Sequence, residues 1–272
     1  MKDKLIIDTH VHLPWQDEYS TIEEKKTELK AQMEKNGIDY AIVIADSYLQ
    51  TNIGSNEEVI DAIKEESSLF CIFGYSPLER QQEQLEQAEL YLKKDLIKGI
   101  KVYPGHENFS MNDIRLEPVY KLCMKYDVPL VIHTEWNSDR FPQYSHPLFI
   151  REIAERYPSL QIVCSHMWLA KAMFCFDMVK DTPNINIDIS AFMMGEELLK
   201  KYSSFPDLDK ATQILKSIFE YCPERIMYGS DYGSLSMEDH LKLVNNGQFD
   251  EEAMNKLLFD NANRIYHLGL KR

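Results

Sequence analysis

Residues 5–14 read Leu5-Ile6-Ile7-Asp8-Thr9-His10-Val11-His12-Leu13-Pro14. The run Leu5–Asp8 has the composition of a short buried strand, and no glycine follows it before the chain turns polar. A doubly wound open sheet normally places a glycine-rich phosphate loop after its first strand. The stretch therefore favours the other common fold of alternating strands and helices, the closed (β/α)8 barrel.

Seven further β-rich apolar runs follow, spaced on average by about 30 residues, the length of one strand and one crossover helix. They are Tyr40–Ala45, Leu69–Gly74, Ile97–Tyr103, Pro129–His133, Gln161–Ser165, Ile185–Ile189 and Ile226–Gly229. No linker or low-complexity tract divides the chain. We therefore expect an α/β fold with one domain over residues 1–272, a single (β/α)8 TIM barrel.

The stretches between these runs carry helix signals. Ser20-Thr21-Ile22-Glu23 reads as a capping box, and Gly37 offers a left-handed stop to the same helix. Ser55-Asn56-Glu57-Glu58 opens a second helix in the same way. The longest connection, Ala191–Pro223, predicts a crossover with an inserted loop or an extra helix.

The composition indicates which kinds of molecule the protein binds. The chain has 30 Lys and Arg residues against 44 Asp and Glu residues, a net charge of −14, which disfavours nucleic acid and anionic membranes. No apolar run approaches the 18 or so residues of a membrane helix. Five cysteines without a CxxC pair fit reduced thiols. We expect a cytoplasmic protein that binds a small-molecule substrate, with homo-oligomerisation left open.

Metal-ligating side chains stand where the predicted strands end, which is where (β/α)8 barrels build their active sites. His10 and His12 lie two residues apart on one face of a strand, so both imidazoles can bind one ion. His133, His166 and Asp231 follow the fifth, sixth and eighth strands. The donor set predicts a site for Zn²⁺, or for Mn²⁺ or Fe²⁺, with Asp8 orienting an imidazole from behind.

Lys101 lies inside the apolar fourth strand, where an unpaired ammonium is expensive to bury. Three interpretations are open. Lys101 holds a substrate carboxylate, pairs with a buried acid, or is carboxylated and bridges two metal ions.

Further residues are candidates for lining the barrel mouth. His106 directly follows the fourth strand, and the three tryptophans each lie two or three residues beyond a candidate ligand. These tryptophans either pack at the rim or line the site for a cyclic or apolar substrate. The candidates are His106, Trp15, Trp136 and Trp168, with Arg140, Tyr144 and Tyr232 as weaker anchors for an anionic group.

These motifs together resemble the amidohydrolase superfamily, and within it the amidohydrolase-related branch that also contains aminocarboxymuconate-semialdehyde-type decarboxylases. The resemblance runs almost from end to end. It rests on Ile7–His12, Gly99–Pro104, Val128–Thr134, Ile162–His166, Ile187–Ser190, Tyr228–Tyr232 and Asn261–Tyr266. These motifs are specific for the superfamily and not for a substrate.

The resemblance implies roles for individual residues. His10, His12, His133 and Asp231 match metal ligands. His166 matches a strand-six histidine that is catalytic in single-metal members and a ligand in two-metal members. The segment from Lys101 also resembles the dihydroorotase segment whose lysine is carboxylated, which would give two ions, but an arginine-bearing substrate motif around His10 and His12 is missing.

We therefore expect a metal-dependent hydrolase that activates water to cleave an amide, lactone or ester bond of a small, carboxylate-bearing or cyclic substrate. Asp231 would accept the proton of the water, and His166 would stabilise the developing oxyanion or relay a proton to the leaving group. The alternative is a metal-dependent decarboxylase of an unsaturated or aromatic acid. A non-catalytic barrel that only binds metal and ligand is a third hypothesis.

Overall fold

A computed structural model describes residues 4–16, 18–47, 53–137, 139–194, 199 and 205–272. Its sheet contains eight strands, each paired in parallel with the next along the chain. The strands are β1 (Ile7–Val11), β2 (Tyr40–Ile44), β3 (Leu69–Gly74), β4 (Ile100–Val102), β5 (Leu130–Glu135), β6 (Ile162–Leu169), β7 (Ile185–Asp188) and β8 (Ile226–Met227).

Backbone hydrogen bonds close the ring between β1 and the segment after β8. The amide of Thr9 donates to the carbonyl of Tyr228 over 3.0 Å, and the amide of His12 donates to Tyr232 over 2.7 Å. The predicted single (β/α)8 barrel is confirmed.

Helices follow the strands around the outside of the barrel. They are α1 (Ile22–Asn36), α2 (Asn56–Ile63), α3 (Gln81–Lys93), α4 (Glu117–Tyr126), α5 (Pro147–Arg156), α6 (Ala172–Val179), α7 (Leu208–Tyr221), α8 (Met237–Asn246), α9 (Glu251–Asn255) and α10 (Asn261–Ile265). None of these helices is long and apolar enough to cross a membrane.

The helix ends are set by the residues that the sequence points to, with one shift of register. The N-cap of α1 is Thr21, whose side chain accepts from the amide of Glu24, so the capping box lies one residue later than predicted. Gly37 ends α1 with φ of 69°, as expected. Ser55 and Glu58 form the predicted capping box of α2.

The long crossover between β7 and β8 is described in part. It contains α7 and the short turn Pro223–Arg225. Residues 195–198 and 200–204 lie outside the described residues, and the predicted insertion falls there.

Apolar packing seals the amino-terminal end of the barrel. Side chains from inside the ring, such as Ile42 and Val163, form one buried cluster with residues of the carboxyl-terminal segment, such as Phe259 and Tyr266. The ring of Tyr40, the first residue of β2, lies 6.5 Å from the ring of Phe259. The opposite end, where the strands terminate, is left open for the site.

The five cysteines are buried and unpaired, in agreement with the expectation of reduced thiols.

Candidate metal centre and active-site cavity

A cavity of about 600 Å³ lies at the carboxyl-terminal ends of the strands. Its walls bring together side chains that are far apart in the sequence, including His12, Trp15, Tyr103, His133, His166 and Asp231. The barrel thus places the predicted site residues of β1, β5, β6 and the segment after β8 around one space.

His10, His12 and Asp231 form one group of side chains in this region that could hold a metal ion. One carboxylate oxygen of Asp231, Oδ1, lies 3.5 Å from Nε2 of His10 and 3.7 Å from Nε2 of His12. All three ligand atoms lie within 4.8 Å of one another. The prediction that the two imidazoles of β1 face the same point is confirmed.

The hydrogen-bond partners of the Nδ1 atoms determine which ring nitrogen carries the proton in both imidazoles. Nδ1 of His10 lies 3.1 Å from Oδ2 of Asp188, and Nδ1 of His12 lies 3.1 Å from the carbonyl oxygen of Ile44. Because a carboxylate and a carbonyl only accept, each Nδ1 carries the proton and each Nε2 keeps its lone pair. This is the arrangement in which a histidine binds a metal through Nε2.

Asp188, and not Asp8, supports the imidazole of His10. Asp8 lies one step deeper in β1, and its Oδ1 accepts from the backbone amides of His10 and Ser230 over 3.2 and 2.9 Å. The expected role of Asp8 as the side-chain partner of an imidazole is therefore corrected. Asp8 instead holds the backbone of β1 against the segment that carries Asp231.

The residues fit a divalent cation. Nε2 of His10 is buried without a hydrogen-bond partner in the described structure. Burial lowers the pKa of His10 well below its usual value and that of His12 to about 3, so both imidazoles are neutral near pH 7. Donors bound to one ion at about 2.1 Å in a tetrahedron are separated by roughly 3.4 Å, and the spacings around Asp231 are close to this.

His166 presents a neutral imidazole on the same side of the cavity. Its Nδ1 lies 3.2 Å from the carbonyl oxygen of Ser190, which places the proton on Nδ1 and leaves Nε2 as a proton acceptor. Burial lowers the pKa of His166 well below its usual value. The rings of His10 and His166 are 4.8 Å apart. His166 is thus placed beside the candidate metal site, as expected.

The backbone at the site is held in conformations that side chains rarely adopt. His166 has φ of 63° and Asp231 has φ of 58°, a left-handed region that costs roughly 1–2 kcal/mol per non-glycine residue. Gly233, with φ of 103°, lies so close to β1 that a Cβ there would approach Cβ of His12 to 2.9 Å. Such strain concentrates at functional sites, and here it aims two chemically important side chains into the cavity.

His133 lies on the cavity wall but is engaged away from the group around Asp231. Its Nε2 lies 3.0 Å from Oδ1 of Asp139, and its ring is 5.0 Å from the ring of His166. The group of potential metal ligands that includes His133 also contains His106 and Asp139. Its assignment as a fourth ligand beside His10 and His12 stays a prediction.

Lys101 is fully buried beneath the cavity. Its Nζ donates to Oγ of Ser165 over 3.3 Å, and Ser165 in turn donates to Oδ2 of Asp188 over 2.7 Å. Burial lowers the pKa of Lys101 to about 8, although the carboxylates of Asp188 and Asp231 oppose this shift. The arrangement favours a lysine that balances buried acids over one that reaches into the cavity for a substrate.

The tryptophans fall into two groups. Trp15 lines the cavity, with its ring 6.4 Å from that of His12. Trp136 and Trp168 pack edge to face at 4.8 Å, and Lys171 lies 3.4 Å above the ring of Trp136. One tryptophan is therefore available to a substrate, while the other two build the rim.

The weaker candidates divide in the same way. His106 lines the cavity, as expected. Arg140 lies 5.2 Å from the ring of Phe141, and Tyr144 stacks on the same ring. Among the described residues that line the cavity, Arg140, Tyr144 and Tyr232 are absent.

Five acids of the site are not among the residues singled out from the sequence: Asp46, Glu107, Glu135, Asp139 and Asp188. Asp188 ends β7 in the same way that the chosen residues end their strands, so its position carried a usable signal. Asp139 and Glu107 lie in loops after β5 and β4, where neither periodicity nor strand position marks them. Burial raises the pKa of Glu107 to about 7.

Comparisons with solved structures give the same fold. An uncharacterised TIM-barrel protein from Bordetella bronchiseptica superposes with a TM-score of 0.76 at 17% identity, covering 97% of this chain and 99% of that one. A probable 2-pyrone-4,6-dicarboxylic acid hydrolase from Acinetobacter baumannii gives 0.69 at 17% identity, covering 96% and 99%. A 5-carboxyvanillate decarboxylase from Novosphingobium aromaticivorans, complexed with manganese, gives 0.70 at 14% identity, covering 98% and 97%.

At these identities the structures show the fold alone. No curated protein sequence matches the chain. The model of the family described as Amidohydrolase matches residues 7–268. The match spans nearly the whole barrel, including every site residue described above, and the chain belongs to the amidohydrolase family.

Proposed function

We propose that this protein is a metal-dependent hydrolase that cleaves an amide, lactone or ester bond of a small molecule. The observation that carries the proposal is the position of Asp231, whose Oδ1 lies 3.5 Å and 3.7 Å from the Nε2 atoms of His10 and His12 at the wall of the cavity. A carboxylate beside two unprotonated imidazoles is suited both to binding a cation and to taking a proton.

His10, His12 and Asp231 would hold the ion, and His133 stays a candidate fourth ligand. Such an ion supplies a Lewis acid and makes water a stronger nucleophile at neutral pH. Zn²⁺ suits the mixed nitrogen and oxygen donors. The manganese named for the Novosphingobium decarboxylase supports Mn²⁺ as the alternative.

Two side chains, Asp231 and His166, carry out the proton transfers of the reaction. Asp231 accepts a proton from the attacking water. His166, with a lone pair on Nε2, relays this same proton from Asp231 to the leaving group, so that the proton lost by water is the one the leaving group gains. Neither role requires a charged imidazole in the resting protein, in agreement with the lowered pKa of His166.

The lining of the cavity favours an uncharged substrate over a polyanion. Four carboxyl side chains line it, and among the described lining residues neither lysine nor arginine occurs; the four are Asp46, Glu107, Glu135 and Asp231. With the net charge of −14 the field opposes anions. A cyclic amide, lactone or neutral ester suits this surface, and a substrate carboxylate would depend on the ion for its binding.

A decarboxylase of an aromatic acid is the second candidate. The observation that favours it is the pair of aromatic side chains, Trp15 and Tyr103, on the cavity wall. Aromatic walls stack well against a planar acid. The same metal site would then serve proton transfer to carbon, and CO₂ would be the leaving group.

Isotope incorporation separates the two reactions. The zinc- or manganese-loaded protein is assayed in H₂¹⁸O against a panel of lactones, cyclic amides, esters and aromatic acids. A hydrolase places ¹⁸O in the product acid. Release of CO₂ from an aromatic acid, with an unlabelled remaining product, would instead establish the decarboxylase.

The matched variants are Asp231→Asn and Asp209→Asn. Asp209 is an exposed acid in the first turn of α7, so its amide variant controls for the loss of one negative charge. We expect turnover to fall at least a thousandfold in Asp231→Asn, of the order seen for loss of a key catalytic group, and to stay unchanged in Asp209→Asn. Full activity of Asp231→Asn would reject the mechanism.

A further inference from the structure

A second group of side chains that could hold a metal ion lies at the cavity, separate from the group around Asp231. Nε2 of His133 lies 3.0 Å from Oδ1 of Asp139, and Nδ1 of His106 lies 3.7 Å from the same oxygen. The three ligand atoms lie within 4.8 Å of one another. His133 belongs to β5, while Asp139 and His106 come from two different loops at the barrel mouth.

The spacing of these donors matches that of the first group. Around Asp231 the two nitrogen-to-oxygen distances are 3.5 and 3.7 Å, and around Asp139 they are 3.0 and 3.7 Å. All four distances lie within about 0.4 Å of the separation of roughly 3.4 Å between neighbouring donors of a tetrahedral ion. Two imidazoles and one carboxylate are also the same donor chemistry.

One oxygen of the carboxylate at the centre of the second group is buried without a hydrogen-bond partner in the described structure. This oxygen is Oδ2 of Asp139, whose side chain is 0% exposed. A buried carboxylate oxygen without a hydrogen-bond donor is costly.

The loop geometry brings the Asp139 carboxylate close to the β4 loop. A Cβ added at Gly105 would lie 3.0 Å from Oδ2 of Asp139 and 2.7 Å from the carbonyl oxygen of Phe141. Gly105 therefore lets the His106 loop approach Asp139 closely. The loop that carries His106 and the loop that carries Asp139 therefore meet at this carboxylate.

From this geometry we propose a second divalent-cation site formed by His106, His133 and Asp139. Its ion would be a transition metal such as Zn²⁺ or Mn²⁺, held by two nitrogens and one carboxylate, and His133 would then serve this ion in place of the one at His10, His12 and Asp231. The site goes beyond the hydrolase proposed above, which needs only the ion at His10, His12 and Asp231.

Two other arrangements make different predictions for the same residues. In one, His133 and Asp139 share only a hydrogen bond, and the protein binds a single ion. In the other, a second ion is bridged by a carboxylated Lys101, and Asp139 plays no part in its binding.

The experiment counts the ions bound by each variant. Protein is stripped with a chelator, loaded with Zn²⁺ and in parallel with Mn²⁺, passed through gel filtration and analysed for metal per chain. The test variants are Asp139→Asn and His106→Gln. Thermal melting verifies that each is folded, and His106, whose side chain is 67% exposed, offers a substitution that the fold tolerates.

The chain offers a matched control for unspecific binding. His267 and Asp127 form an exposed pair, with Nε2 3.4 Å from Oδ2. Asp127→Asn removes a carboxylate beside a histidine outside the cavity. Its left-handed φ of 51° is one that asparagine also tolerates.

We expect two ions per chain in the wild type and in Asp127→Asn, and one ion in Asp139→Asn and in His106→Gln. A single ion in the wild type, or two ions in both test variants, would overturn the second site. Loss of the second ion in Lys101→Met, with both ions kept in Asp139→Asn, would assign it to the carboxylated lysine.

Asp231→Asn separates this inference from the proposed function. It should retain the ion at Asp139 and lose the other, giving one ion per chain. Two ions in Asp231→Asn together with one in Asp139→Asn would support the second site while rejecting the ligands proposed for the first.

Discussion

Nδ1 of His10 lies 3.1 Å from Oδ2 of Asp188, with both side chains almost completely excluded from solvent. The pair joins the end of β1 to the end of β7. It places the imidazole proton on Nδ1 and points Nε2 at Asp231. This buried contact thereby leaves the lone pair of Nε2 free for the proposed ion.

Replacing Asp188 by Asn should weaken the support that this carboxylate gives to the imidazole of His10. Asn still offers a carbonyl oxygen but lacks the negative charge that makes the imidazole a stronger ligand. We expect zinc affinity to fall by about 10–100-fold, the usual effect of removing such a support. Competition with a chromophoric chelator measures it, with Asp209→Asn as the control. Equal affinity in Asp188→Asn and the wild type would show that the contact does not tune the site.

The site residues that could be predicted from the sequence are those at the ends of strands. His10 and His12 alternate with Val11 on a strand, so their common direction followed from the pleat alone. Asp188 lies at the end of β7 and carries the same strand-end signal. Asp139 could not be predicted, because its place beside His133 depends on how a loop folds back, which no local pattern encodes.

Boundaries were less predictable than the existence of the elements. The predicted run Ile97–Tyr103 contains a paired strand only over Ile100–Val102, whereas β6 continues four residues beyond its predicted end at Ser165. Pairing with neighbours sets these limits. The capping box of α1 shifted by one residue because Ser20-Thr21 and Glu23-Glu24 offer two equivalent registers.

A substitution of Ile42 tests the packing that seals the amino-terminal end of the barrel. This residue is fully buried in β2, and truncation to alanine leaves a cavity that the surrounding strands cannot fill. We expect a loss of about 2–5 kcal/mol in the free energy of unfolding. Ile114, which is 73% exposed, provides the control, and its alanine variant should change stability by less than about 0.5 kcal/mol. Equal effects, measured by urea denaturation, would contradict the packing described.

His240 predicts a pH dependence of stability that does not involve the metal site. Its Nδ1 donates to the carbonyl of Ser236 over 3.0 Å, and its Nε2 accepts from the amide of Met193 over 3.3 Å. Burial lowers its pKa from 6.5 to about 4. The unfolded chain binds a proton as the pH falls through 6.5, while the folded chain resists until about pH 4.

The contribution of His240 is therefore complete above pH 6.5 and is lost as the pH falls towards 4. Its size is on the order of 3 kcal/mol, from about 1.4 kcal/mol for each unit of pKa. His240→Gln should flatten the decline between these pH values in denaturation measured across the range. The exposed His267→Gln serves as the control, and an unchanged slope in His240→Gln would contradict the buried neutral state.

An anomalous-difference map from crystals loaded with Zn²⁺, collected on either side of the zinc absorption edge, tests most directly whether His10, His12 and Asp231 bind a divalent ion at the mouth of the barrel. We expect a peak about 2.0–2.2 Å from Nε2 of both histidines and from a carboxylate oxygen of Asp231. A map without a peak there, from protein that retains zinc in solution, would contradict binding by these three residues.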